Sequence, residues 1–375
     1  MPDKLNNSFL VDDYAMRYSN FVPRLYNYCL SLGMQPNRIM PSRAFCSDEN
    51  QGYPIILIAK NFGTFPFDHG RVGGIVATGR HGPHAHHGKD VVIIHACHVG
   101  YESKSGEFGI YRRLQAGEHE YSNDCGALCD VMHWYQREYD FACRHIKLDR
   151  DETGPVIIID NQLLHENRAE GLFLHLDRLV DYHSGQGEPL RQLSTARVFR
   201  ASPDLVANIG DGWGEGRSAI SNRLHAGLFY FRREAGVASK ASDYINRNLI
   251  DAMPMILTSR FPALEAARVN AQMEFDRSFR TIVREEAYAG KKVVLISGIH
   301  IDVSPLPGQI FPLTKFVPWA AYIQRESGEG YTLEQNELYG VLQQQSPDNP
   351  DKIDLTEAIN SMKQEAEIRI KVDGD

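Results

Sequence analysis

Five apolar runs constrain the fold more than any other feature of this chain: residues 54–60, 73–78, 90–97, 154–160 and 292–303 each read as a β-strand. The middle three are continuous β-branched runs rather than alternating ones, as in Val91-Val92-Ile93-Ile94. That is the pattern of strands covered on both faces of a parallel sheet. Apolar residues recur at three and four positions over 124–146 and 161–182, which predicts two helices, the first capped by Asp124. Residues 10–33 predict one or two further amphipathic helices. A helical segment covers about 241–289, broken at Pro254 and Pro262 where amide donors are missing. The alternation implies an α/β domain with a mainly parallel central sheet flanked by helices. Three regions follow: an N-terminal helical arm over 1–40, a large domain over 41–330 with an excursion at about 184–290, and a polar tail over 331–375 with a helix near 354–370.

Cys46, His98 and Cys125 each sit where such an element hands over to a loop or helix. Two thiolates and one imidazole make a three-ligand zinc set whose fourth tetrahedral position is left for water. His98 ends the run Val91–Cys97, and ligands collect at the carboxyl ends of parallel strands. Cys125 opens a helix, where free amides and the dipole favour a thiolate. Asp48, two residues past the first thiolate, can hydrogen-bond a zinc-bound water or compete for the metal. The competing reading is that these cysteines are small buried apolar residues. Cys97 and Cys129 are the alternative ligands nearest to the set. Asp302, at the end of the last strand, either faces the site or caps its own loop.

These residues fall within an ordered series of short segments. The series runs through Cys46-Ser47-Asp48-Glu49, Gly73-Gly74-Ile75, Thr78-Gly79, Ala85-His86-His87, His98-Val99-Gly100, the Gly-rich hairpin Ser105–Gly109 and Cys125-Gly126-Ala127. It closes with Val294–Ile301 and Phe311-Pro312-Leu313. In order and spacing the series resembles the limiting-CO2-inducible B/C proteins of algae and their bacterial relatives, a family similar in fold to β-carbonic anhydrases. The resemblance implies a β-carbonic-anhydrase-like zinc domain with metal ligands at Cys46, His98 and Cys125. It makes Asp48 the acidic member of an Asp–Arg dyad. The arginine expected two residues later is Asn50 here, so Arg80, or alternatively Arg43, is the candidate to complete the dyad. The resemblance also implies a homodimer with C2 symmetry, for which the aromatic segment Tyr14 to Tyr28 is a candidate arm.

The expected activity is reversible hydration of CO2 to bicarbonate by zinc-bound hydroxide. Carbonyl sulphide and carbon disulphide are attacked in the same way, so hydrolysis of either is the alternative, beside a catalytically silent zinc-binding relative. Four histidines lie within the loop His81–His87. They suit proton export, for which His87 is the candidate, a second metal site, or a solvent-exposed loop with no role. A net charge of −8 argues against nucleic-acid binding. No run approaches the roughly 18 apolar residues of a membrane span. Six scattered cysteines without framework spacing, and an N-terminus without an apolar stretch, imply reduced thiols and a cytoplasmic home.

Overall fold

The computed structural model describes residues 11–78, 82–83, 89–113, 120–165, 167–182, 188–213, 216–234, 240–306, 309 and 313–364. In chain order the principal strands are β1 (Ile39–Ala44), β2 (Phe67–Asp68), β3 (Asp90–Glu102), β4 (Ile146–Asp151), β5 (Gly154–Asp160), β6 (Ala196–Arg200), β7 (Val293–Val303) and β8 (Leu313–Gln324). The principal helices are α1 (Tyr18–Ser31), α2 (Gly52–Phe62), α3 (Gly126–His145), α4 (Lys240–Leu249), α5 (Met253–Thr258) and α6 (Pro262–Ile282).

The central sheet has the order β8-β7-β3-β1-β2. The pairs β7–β3, β3–β1 and β1–β2 are parallel, and β8 runs antiparallel on β7. Short strands at Met16–Arg17 and Gly330–Glu334 extend the β8 edge antiparallel. The α/β class with a parallel core therefore holds. Helices cover both faces, which is why β3 and β7 are apolar along nearly their whole length. On one face Phe21, Val22 and Leu25 of α1 and Ile58 and Phe62 of α2 pack on Val92, Ile94, Val294 and Ile296. On the other, Phe275 and Ile282 of α6 pack on Val91, Ile93, Val293 and Leu295. Each such side chain contributes about 1.5–3 kcal/mol by leaving water. The segment around α1 thus packs into its own chain's core.

Several expectations from the sequence need correction. Residues 54–60 form helix α2, not a strand. A short apolar run does not separate the two by periodicity. Pro54 needs no amide partner in a first helical turn. The buried positions Pro54, Ile58, Ala59 and Phe62 follow a helical spacing, and Gly63 ends the helix at φ 72° with its N–H on the Ala59 carbonyl. The run 73–78 is only a 3-10 turn followed by the two-residue strand Ile75–Val76. The strand at 154–160 exists as β5, but it lies in a separate antiparallel sheet with β4 and β6. Among the described residues no helix spans 161–182: Gly171, at φ 122°, opens a strand to Leu174 that pairs with Phe229–Arg232.

Two central strands were not foreseen. Pro41 and Arg43 interrupt the apolar signal of β1, and Lys315 and Pro318 that of β8. Pro318 fits because the β7–β8 register shifts between Ser297 and Gly298. A Cβ on Gly298 would lie 2.2 Å from the Val317 carbonyl oxygen, so the backbone there demands glycine. The helical segment breaks at Pro254 and Pro262 as expected, giving α4, α5 and α6. Among the described residues no helix is long and apolar enough to cross a membrane.

Candidate metal centre

Side-chain donors of Cys46, His98 and Cys125 converge, all within 4.8 Å of one another and all buried. Three different handovers place them. Cys46 follows the carboxyl end of β1, two residues after Ala44. His98 lies within β3, where the strand continues to Glu102 rather than ending at residue 97. Cys125 is the N-cap of α3 at φ 50° and ψ 70°. That left-handed conformation costs a non-glycine residue roughly 1–2 kcal/mol. Asp124, expected as the cap, makes no cap and is used elsewhere.

Nδ1 of His98 lies 3.0 Å from Oδ2 of Asp302 and 3.2 Å from Oδ2 of Asp124, both carboxylates being fully buried. Carboxylates accept, so Nδ1 carries a proton and Nε2 is the ring atom left for another partner. That Nε2 is buried and has no hydrogen-bond partner. A buried polar atom left unpaired costs about 1–3 kcal/mol, so the arrangement has a missing partner. A metal ion supplies one. Ligating histidines characteristically give their other N–H to a carboxylate. The donor chemistry, two sulfurs and one imidazole nitrogen, fits zinc.

The surrounding groups are held in turn. Thr314 Oγ1 donates to Oδ1 of Asp302 at 2.9 Å, and Gln51 Nε2 donates to its Oδ2 at 3.0 Å. The Gln51 carbonyl oxygen accepts from Nδ1 of His300, which fixes the amide's orientation. Burial drives the His300 pKa well down, keeping that ring neutral. Burial also pushes Asp302 up to about 6, with Asp124 adding to the effect against His98 and Thr314. For His98 burial opposes protonation, but Asp124, Cys125 and Asp302 outweigh it and raise its pKa. A hydrogen bond between the two thiols lowers Cys46 while it raises Cys125, with His98 and the Gly73 amide also lowering Cys46.

Asp48 stands beside this set, its carboxylate within 4.8 Å of donors on His98 and Asp124. Its Oδ1 accepts from the Asn50 backbone amide at 3.2 Å. The Asn50 side chain turns away and donates to Oδ1 of Asp124 at 3.1 Å. Among the described residues the cation beside Asp48 is Arg113 rather than Arg43. Arg43 pairs instead with Asp68 at 2.6 Å, and Arg80 and His87 lie outside the described residues. Arg113 places Nη2 3.7 Å from Oδ2 of Asp48, and it also bonds Glu49 and Ser122. The sequence offered one signal for it, the Arg112-Arg113 pair between the Gly-rich hairpin and Cys125. The nearest alternative ligands have other partners. Cys97 Sγ accepts from Asn270, and Cys129 Sγ donates to the Asp124 carbonyl.

Residues 15–170, which include all three donors and Asp48, match the family described as limiting CO2-inducible proteins B/C beta carbonic anhydrases. Over that span the chain is similar to this family. Beyond the matched span, the likeness is one of fold. The crystal structure of PtLCIB4, a homolog of the limiting CO2-inducible protein LCIB, is 12% identical with a TM-score of 0.52, covering 89% of this chain and 99% of that one. The crystal structure of limiting CO2-inducible protein LCIB is 14% identical over 86% of this chain and 95% of that one, with a TM-score of 0.44. No curated protein matches the sequence.

Proposed function

We propose that this chain is a zinc-dependent, carbonic-anhydrase-like enzyme that interconverts CO2 and bicarbonate. One observation carries the reading: the unpartnered Nε2 of His98 is buried beside the sulfurs of Cys46 and Cys125, within the family-matched span. Those three side chains would hold the ion. Zinc bound there supplies a Lewis acid that brings the pKa of water towards neutrality, so that a nucleophile is available at ordinary pH.

The chain's own residues do the rest. Asp302 holds the His98 N–H, with the Asp124 carboxylate 3.2 Å from the same nitrogen, and so leaves the other ring nitrogen to ligate. Asp48 accepts a hydrogen bond from the attacking water and aims its lone pair at CO2. Arg113 engages Oδ2 of Asp48 and competes with the metal for that oxygen, taking the part for which Arg80 and Arg43 were candidates. Side chains of this pair are 36% and 11% exposed. An ion pair this accessible is worth only about 0–1 kcal/mol, so its contribution is to position rather than to stabilise. His87, which lies outside the described residues, is the proposed exit for the proton released at each hydration. Assembly as a C2 homodimer goes with this reading and would show as twice the chain mass by light scattering.

Stopped-flow CO2 hydration by protein of verified metal content tests the proposal, with carbonyl sulphide and carbon disulphide turnover measured beside it. Zinc-loaded protein that accelerates none of these reactions would leave the chain as a silent relative of the family.

A further inference from the structure

The backbone N–H of Gly73 donates to Sγ of Cys46 at 3.1 Å. Gly73 and Gly74 form a turn of two successive left-handed residues, at φ 80° and 72°. It has little rigidity of its own, since glycine is the most flexible residue. Three buried side chains from outside the turn clamp it. Asn270 of α6 donates Nδ2 to the Gly73 carbonyl at 2.9 Å. His95 of β3 donates Nε2–H to the Gly74 carbonyl at 3.0 Å, and Oε2 of Glu274 accepts from the Val76 amide at 2.7 Å. Asn270 is fully buried, and its own Oδ1 accepts from Asn248 of α4 at 2.7 Å.

We propose that Asn270 is a positioning residue for the metal centre, acting through the Gly73 turn to keep that amide on the Cys46 sulfur. The inference rests on the reading of Cys46 as a metal ligand. An N–H···S hydrogen bond fixes where the sulfur sits, which favours binding, and it withdraws some charge from a bound thiolate, which raises the energy of that thiolate's charge-transfer band. Groups that bond to a ligand rather than to the metal commonly alter metal affinity by 10–100-fold when lost. Asn270 lies outside the family-matched span of residues 15–170 and touches none of the three donors directly.

Cobalt(II) is the probe, because its thiolate charge-transfer absorption reports the electron density on the bound sulfurs. Asn270→Leu keeps the side-chain volume and removes the donors. Its expected effect is at least tenfold weaker cobalt and zinc binding, with the charge-transfer band moved to lower energy. Asn248→Ala, which loosens Asn270 without removing it, should move both quantities the same way by less. It serves as the deciding variant if Asn270→Leu does not fold. A fall in Tm with wild-type affinity and an unmoved band, in whichever variant folds, assigns these residues to structure alone and overturns the inference. Wild-type protein that binds no cobalt refutes the ligand reading as well, so the two failures are distinguishable.

Discussion

Asp302 accepts a hydrogen bond from Nδ1 of His98 at 3.0 Å, between residues 204 positions apart in the chain. The contact exists because β7 runs parallel to β3, with His300 opposite His98 and Asp302 one pleat further on the same face. Replacing Asp302 by Asn keeps the shape and removes the charge that holds the N–H. Zinc affinity of Asp302→Asn should fall about 10–100-fold. Titration against a competing chelator measures this, and an unchanged constant would remove Asp302 from the metal's support.

Cys46→Ala, His98→Ala and Cys125→Ala should each lose most of the bound zinc found in wild-type protein, since a three-donor site reduced to two chelates poorly. Elemental analysis after gel filtration decides it. Full occupancy in all three variants would end this assignment and bring forward the histidine cluster at 81–87.

Removing Arg113 should free Asp48 without unfolding anything. The expectation for Arg113→Ala is retained zinc, a stability change below about 1 kcal/mol and CO2 hydration reduced about tenfold or more. Asn50→Arg should bring no gain, because it breaks the buried bond from Asn50 to Asp124. Full hydration activity in Arg113→Ala would remove that arginine from the mechanism.

Acid stability follows from two buried, neutral histidines. Burial pushes His69 down to about 3 and His95 down to about 4. His69 places Nδ1 2.7 Å from Ser42 Oγ, and His95 bonds both Ser297 and the Gly74 carbonyl. Below about pH 6.5 the unfolded chain binds protons that the folded chain refuses, so stability falls as pH falls from there towards 4. At most the two groups contribute about 2.7 kcal/mol per pH unit. Denaturant unfolding at successive pH values should show this decline, and a His69→Gln, His95→Gln double variant should flatten it. An equal slope in both proteins would show that other groups govern it.

How much of this was legible depended on how local each signal is. Cys46, His98 and Cys125 could be read because each sits beside a run or turn visible in a few residues. Strands β3 and β7 were legible for the same reason. Helix α2 was misread because Pro54-Ile55-Ile56-Leu57-Ile58-Ala59 carries hydrophobicity without a period. The Arg112-Arg113 pair marks Arg113 as a local cation but does not point to Asp48, and nothing near Asn270 in sequence hints at Gly73. Their partners are set by the return of the chain after long detours. Asp124 was read as a helix cap from its position alone, but the left-handed turn at Cys125 sends its carboxylate to His98.

The parallel pairing of β3 with β7 encloses nearly two hundred residues between neighbouring strands, and this sets an order of events during synthesis. At about 5–20 residues per second, some 10–40 seconds separate the translation of His98 from that of Asp302. For most of that interval Cys46, His98 and Cys125 have all been made, but the Asp302 carboxylate has not. The nascent chain therefore carries two uncovered thiols for tens of seconds, so its exposure to oxidants and competing metals is greatest before it leaves the ribosome.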